Sequence, residues 1–144
     1  MEYENTPVES ATTTQGLVIN RIFTKPELSV YDMIEYDTRT STIRNPDGSV
    51  VFDMKNVEVP TSWSQIATDI LAQKYFRKAG VPEVESENSI KQVVHRLVGC
   101  WTDWGTKFGY FNSTKDSKSF YEEMSYILLT QMGAPNSPQW FNTG

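Results

Sequence analysis

SIKQVVHRLVGCWTDWG, residues 89–105, is the stretch whose pattern indicates the fold most directly. Ser89 followed three residues later by Gln92 is a capping-box pattern, which predicts where a helix begins. Gly105 and Gly109 predict where it ends. The apolar residues between them recur at the spacing of one helical face: Ile90, Val93, Val94, Leu97, Val98, Trp101 and Trp104. We therefore predict an amphipathic helix over residues 89–104 with one buried face.

A second helix is predicted before this one, over residues 62–79. Ser62 and Gln65 again have capping-box spacing, and Gly80 is a favourable residue for ending a helix. A third helix is predicted over residues 115–132. Thr114 or Asp116 is expected to cap its start, and Gly133 its end.

The region before the helices has the composition of β-structure. Pro46-Asp47-Gly48 lies between two β-prone runs, and this tripeptide favours a tight turn because Pro presets φ and Gly accepts a positive φ. We predict a hairpin over residues 40–54 and a further strand over 30–36, where the alternation of apolar and polar residues is imperfect. The predicted fold is therefore α+β, a β-hairpin region followed by a mainly helical three-helix domain.

The two ends of the chain have a different character. Residues 1–18 are polar and without a period, which predicts a disordered leader. Residues 134–144 also lack a period, yet they include Trp140 and Phe141, which indicates a loop that packs on something. Because this stretch has neither a helix cap nor a charged tail, we expect a truncated longer polypeptide or the product of a split gene.

Composition excludes several classes of protein. The 144 residues carry a formal net charge of -5 and no basic stripe, so a nucleic-acid-binding domain is not expected. One cysteine and one histidine can form neither an internal disulfide nor an ordinary zinc site. No apolar run approaches the ~20 residues of a membrane span, and the N-terminus does not resemble a signal peptide. A cytoplasmic protein without a membrane partner is expected.

Cys100 and His95 are the side chains with the most reactive chemistry. Both belong to the helix predicted over 89–104 and differ by about 500° around its axis, so they are not expected to form a dyad. Cys100 is interpreted as a packing residue, and His95 as a surface or boundary residue.

The acidic and aromatic groups also have structural interpretations. Adjacent carboxylates at Glu122 and Glu123 diverge around a helix, so a solvated polar face is predicted. The same is expected of the loop acids Glu83, Glu85 and Glu87. Four aromatic residues could form a platform on which bases stack: Trp63, Trp101, Trp104 and Tyr110. Because no basic residues are interleaved with them, packing in the core or at an interface is favoured.

Asn136-Ser137-Pro138 is the most informative short motif. Pro138 restricts Ser137 to extended conformations. A hydroxyl on such a stiffened segment is a suitable hydrogen-bond donor to a phosphate or a sugar. Ordinary turn chemistry is the other interpretation of the same three residues.

Longer runs of the sequence resemble a known family. They are IRNPDGSVVFDMKNVEVP (43–60), VEVPTSWSQIATDILAQKYFRKAGVP (57–82), RLVGCWTDWG (96–105) and FYEEMSYILLTQMGAPNSPQWFNTG (120–144). These runs are similar to the N-terminal region of adenosylcobalamin-dependent (class II) ribonucleotide reductases, and the resemblance covers roughly residues 17–144.

The resemblance implies a segment of an enzyme that converts ribonucleotides to deoxyribonucleotides for DNA synthesis. In this family adenosylcobalamin supplies a radical that generates a thiyl radical on a cysteine inside an α/β barrel. The radical cysteine and its helpers lie after the segment seen here, and Cys100 matches none of them. The resemblance therefore implies no catalytic and no metal-binding residue in this chain, a cofactor bound mainly by the remaining polypeptide, and no activity alone.

The resemblance also implies a domain division and one type of site. Residues 1–18 are the leader, 19–133 the N-terminal domain and 134–144 the start of the barrel. In the family the Ser or Thr before Pro at the start of the barrel contacts the substrate, and here that residue is Ser137. Asn136 is expected to line the same pocket. The implied partners are a ribonucleotide, the remainder of the reductase and a second copy of the enzyme. The alternative function is a stand-alone helical protein-binding module without catalysis.

Overall fold

The computed structural model describes residues 15–144. It has an α+β fold, as predicted, in which a two-stranded antiparallel sheet precedes the helices. The elements are a 3-10 turn at Val30–Met33, β1 at Tyr36–Arg44, β2 at Val50–Pro60, α1 at Gln65–Ile70 with a π-turn at Leu71–Tyr75, α2 at Ile90–Lys107, α3 at Thr114–Leu129 and α4 at Ser137–Asn142.

The predicted hairpin is confirmed and is longer than residues 40–54. Its register pairs Tyr36 with Pro60 at the open end, and Gly48 has a φ of 87° in the turn, as the Pro-Asp-Gly signal requires. The strand predicted over 30–36 is wrong, since Val30–Met33 forms a 3-10 turn. The backbone N–H of Val30 donates to Glu122 Oε2 at 2.7 Å, so this segment is held by a helix and not by a neighbouring strand.

Helix α2 forms as predicted and begins with the complete capping box of Ser89 and Gln92. Its predicted apolar stripe supplies five fully buried side chains to the core: Ile90, Val93, Val94, Leu97 and Val98. The prediction that Gly105 ends the helix is wrong, because α2 continues to Lys107. A Cβ at Gly105 would lie 2.5 Å from the ring of Phe111, so the glycine permits close packing within the helix.

Helix α1 is shorter than the predicted 62–79, and its cap differs. Ser64, and not Ser62, caps the helix by accepting the N–H of Ala67 at 3.1 Å. The regular helix ends at Ile70 and the π-turn at Tyr75, and just beyond it the N–H of Arg77 donates to Glu87 Oε2 at 2.9 Å. An amide that bonds a side chain of another segment cannot continue the helical ladder, which explains why the helix ends before Gly80.

Helix α3 also uses a different cap. The Ser113 hydroxyl accepts the N–H of Asp116 at 3.2 Å, so neither Thr114 nor Asp116 is the cap. After the helix, Gln131 adopts a φ of 57°. The left-handed residue that follows many helices is therefore two positions earlier than the predicted Gly133.

The N-terminal segment crosses α3 and is bound by its carboxylates. The N–H of Ile19 donates to Asp116 Oδ1 at 2.9 Å, and Glu123 accepts the N–H groups of residues 22–24 at 2.8–3.3 Å. Burial raises the pKa of Glu123, but hydrogen bonds from Thr24 and these amides outweigh burial and hold that pKa below its usual range. The prediction of a solvated Glu122-Glu123 face is therefore wrong.

The predicted leader extends over residues 1–18, of which 1–14 lie outside the described residues. Leu17 departs from the prediction. Its N–H donates to the Tyr110 carbonyl at 2.7 Å, and its carbonyl accepts the N–H of Asn112 at 2.9 Å. The backbone at this position is therefore paired with the loop between α2 and α3.

Candidate functional site at Ser137

The segment predicted as a loop over 134–144 contains a short helix. Ser137 is the first residue of α4, and Asn136 precedes it in an extended conformation, with φ -71° and ψ 166°. Pro138 lies in the first turn, where its fixed φ suits a helix and its missing N–H is not needed. A helix of six residues is too short to show a period, which is why the sequence did not indicate it. Ser137 and Asn136 are both exposed.

Tyr75 lies directly against Ser137. The Tyr75 Oη and Ser137 Oγ atoms are 2.8 Å apart and form a hydrogen bond. Tyr75 is the last residue of the π-turn, a local irregularity that often occurs at functional sites. Its ring centroid lies 5.1 Å from that of Phe141 and 5.7 Å from that of Trp140, so α4 packs on the tyrosine.

A buried ion pair holds these two segments together. Arg96 Nε donates to Glu87 Oε1 at 2.8 Å, and the exposed fractions of the Arg96 and Glu87 side chains are 8% and 3%. Arg96 Nη1 also donates to the carbonyls of Trp140 at 3.1 Å and Thr143 at 3.0 Å, and Nη2 donates to that of Tyr75 at 3.3 Å. One guanidinium on α2 therefore fixes the backbone on both sides of the Tyr75–Ser137 contact.

Glu87 was predicted to be solvated with Glu83 and Glu85, and for Glu87 that prediction is wrong. Glu83 and Glu85 are exposed, as expected. Sequence reasoning also missed Arg96 and Tyr75. No local pattern distinguished Arg96 from a solvated arginine, since a residue next to the buried Leu97 lies about 100° away from it around the helix.

The histidine, the cysteine and the aromatic residues considered from the sequence lie outside the Ser137 site. His95 is exposed, as predicted, and its Nδ1 lies 2.8 Å from Tyr121 Oη. His95 and the half-buried Cys100 border the same recess, about 790 Å³ in volume, but no hydrogen bond joins their side chains. A core role is confirmed for Trp63, whose indole N–H donates to the Leu129 carbonyl at 2.8 Å. Trp101 packs against the core, while Trp104 and Tyr110 are exposed.

The potential metal ligands within residues 15–144 are scattered and not clustered. In that part of the chain, no three or more His, Cys, Asp or Glu side chains lie close enough together to hold a metal ion. Separately, none of the described helices is both long and apolar enough to cross a membrane.

The matching family model and the matching relatives all belong to one family of proteins. The family model for class II vitamin B12-dependent ribonucleotide reductase matches residues 37–131. A vitamin B12-dependent ribonucleotide reductase of Bradyrhizobium diazoefficiens is 51% identical over 158 residues, covering 88% of this chain and 13% of the relative. Those of Agrobacterium fabrum and Streptomyces clavuligerus are 44% and 40% identical, covering 88% and 91% of this chain.

The chain spans only 12% and 14% of the length of those two relatives. The matching family model covers most of the helical domain together with the hairpin. The chain belongs to the class II, vitamin B12-dependent ribonucleotide reductases and corresponds to their N-terminal region.

Proposed function

We propose that this chain is the N-terminal segment of an enzyme that reduces ribonucleotides to deoxyribonucleotides for DNA synthesis. Family membership is the observation that carries this proposal. The relatives are named as vitamin B12-dependent, and adenosylcobalamin is the form of the vitamin proposed here. When bound, that cofactor would supply the radical that initiates the reduction.

The radical cysteine and the cofactor-binding residues are proposed to lie in the remaining polypeptide. This assignment is supported by the length of the relatives, of which this chain spans only 12–14%, so most of such an enzyme lies outside it. Cys100 is half-buried on the side of α2 and is not assigned a radical role. The segment is accordingly proposed to be inactive alone.

Ser137 is proposed to contribute a substrate contact, with Asn136 beside it. The Ser137 hydroxyl is exposed at the start of α4, and the backbone behind it is fixed by Arg96. A hydrogen bond from such a fixed group to a phosphate or ribose oxygen would hold the sugar in position for reaction. Asn136 supports this role because its exposed side chain does not cap α4.

Replacing Ser137 with Ala in the active reductase tests the contact. Loss of one hydrogen bond corresponds to ~0.5–1.5 kcal/mol, so KM for the ribonucleotide is expected to rise about 2- to 12-fold, or more if the partner oxygen is charged. Ser49→Ala, an exposed serine in the hairpin turn, is the matched control and should leave KM unchanged. A KM for Ser137→Ala equal to that of the wild type would remove Ser137 from the substrate site.

A stand-alone protein-binding module without catalysis is the second candidate. It is favoured by three exposed aromatic side chains near the end of α2, namely Trp104, Phe108 and Tyr110. Mixing this chain with the remaining reductase polypeptide separates the two functions. Reduction that appears only in the mixture supports the reductase segment, whereas full activity of the remainder alone supports the binding module.

A further inference from the structure

The hydrogen bond between Tyr75 and Ser137 raises the question of which hydroxyl donates. A serine hydroxyl has one proton and two lone pairs. An ionised phosphate has only acceptors, so Ser137 can bond it only by donating its single proton. The proton in the Tyr75–Ser137 bond must then come from the Tyr75 phenol.

The surroundings of Tyr75 suit the role of a fixed donor. Its carbonyl is held by Arg96 Nη2, and its ring packs on Phe141 and Trp140. Ser137 Oγ is the one hydrogen-bond partner of the Tyr75 phenol among residues 15–144. The reverse polarity would leave the phenol proton without an acceptor among residues 15–144, and Ser137 Oγ would then present only lone pairs to the substrate.

We propose that Tyr75 is a positioning residue for substrate binding. Its phenol donates to Ser137 Oγ and thereby directs the Ser137 proton toward an acceptor oxygen of the ribonucleotide. Two hydroxyls bonded in series polarise each other, which strengthens the outer donor. This inference rests on the proposed role of Ser137 as a substrate contact and adds to it the residue that sets the direction of the proton.

A double-mutant cycle in the active reductase tests this inference. Tyr75→Phe, Ser137→Ala and the double variant are compared with the wild type, with cytidine diphosphate and cytidine triphosphate as parallel substrates. Tyr75→Phe keeps the ring that packs on α4 and is expected to raise KM about 2- to 12-fold with little change in kcat, as for the loss of one hydrogen bond. On the Ser137→Ala background the same change is expected to alter KM less than about 2-fold, because the two residues act as one unit.

Two further variants make the cycle specific. Tyr121→Phe also removes a phenol that is hydrogen bonded, to His95 and Tyr31, and is expected to leave KM unchanged. Ser137→Thr keeps a hydroxyl at the same place, and Tyr75→Phe is expected to raise KM again on that background. Thermal unfolding of each variant shows whether the fold is retained.

The outcomes separate the inference from the proposed function. If Ser137→Ala leaves KM unchanged, the substrate contact itself is wrong. If Ser137→Ala raises KM and Tyr75→Phe does not, only the positioning role is overturned. An equal rise in KM from Tyr75→Phe with and without the Ser137 hydroxyl also overturns it, since Tyr75 would then act independently of Ser137.

Discussion

Replacing Arg96 with Met tests whether the buried ion pair organises the candidate site. The change keeps an unbranched apolar side chain but removes every hydrogen bond of the guanidinium. Glu87 would then keep its backbone bond from Arg77 and lose its cation, while three carbonyls lose a donor, those of Tyr75, Trp140 and Thr143.

The expected loss of stability is large because solvent does not screen the pair. Only 8% and 3% of the two side chains are exposed, and removing one partner of a buried ion pair costs about 3–5 kcal/mol. The partly exposed pair of Lys91 and Glu58 is the matched control, with exposed fractions of 36% and 34%. Lys91→Met is expected to cost about 0–1 kcal/mol.

Two measurements on the purified protein check this expectation. Urea unfolding gives the change in the free energy of unfolding, and hydrogen exchange gives the protection of residues 134–144. Arg96→Met should lower both, whereas Lys91→Met should leave the exchange of residues 134–144 unchanged. A loss below about 1 kcal/mol for Arg96→Met, with unchanged protection there, would refute the organising role of the pair.

Two other features of the fold can be tested. Because the pKa of Glu123 is lowered, its stabilising effect is complete above the usual carboxyl range and is lost as the pH falls through the lowered pKa. Amide protection factors of residues 22–24 should therefore fall on acidification in the wild type and be low at neutral pH in Glu123→Gln; neutral-pH protection in Glu123→Gln equal to that of the wild type contradicts this. Gly105→Ala places a Cβ 2.5 Å from the Phe111 ring and is expected to cost about 1–3 kcal/mol in urea unfolding. Gly99→Ala, whose Cβ would lie 3.7 Å from the nearest neighbour, should be neutral or stabilise by up to about 1 kcal/mol, and equal effects at the two glycines would contradict the close-packing argument.

The elements that could be predicted from the sequence are those with local causes. Helix α2 carries its own cap and its own apolar stripe within 18 residues, so a short window contains all the information. The hairpin turn is likewise determined by Pro46-Asp47-Gly48. The resemblance to a reductase could also be recognised from the sequence, because it depends on long runs of similar residues and not on how the chain folds.

The features that were missed depend on residues far apart in the chain. Glu123 binds amides 99–101 residues earlier, and a carboxylate on the polar face of a helix has the same local sequence whether it is solvated or bound. That no helix continues from the π-turn to Gly80 depends on Glu87, ten residues beyond the Arg77 amide whose hydrogen bond it accepts. The resemblance indicated Ser137, but Tyr75 is 62 residues away from it and was not indicated by any local pattern.

The ion pair of Arg96 and Glu87 occupies a buried position that two apolar side chains could also fill, and its hydrogen bonds explain why charged residues stand there. Two apolar residues of similar volume would often make a buried site equally stable or more stable. They would leave the carbonyls of Tyr75, Trp140 and Thr143 without a donor, and nothing in the pair would fix how α4 lies against the π-turn. A guanidinium has five N–H groups in a rigid plane, so it can bond a carboxylate and several carbonyls at once. The pair therefore determines the geometry of the Ser137 segment more than it adds to stability, and an Arg96→Met/Glu87→Met variant that recovers stability should still show altered exchange in residues 134–144.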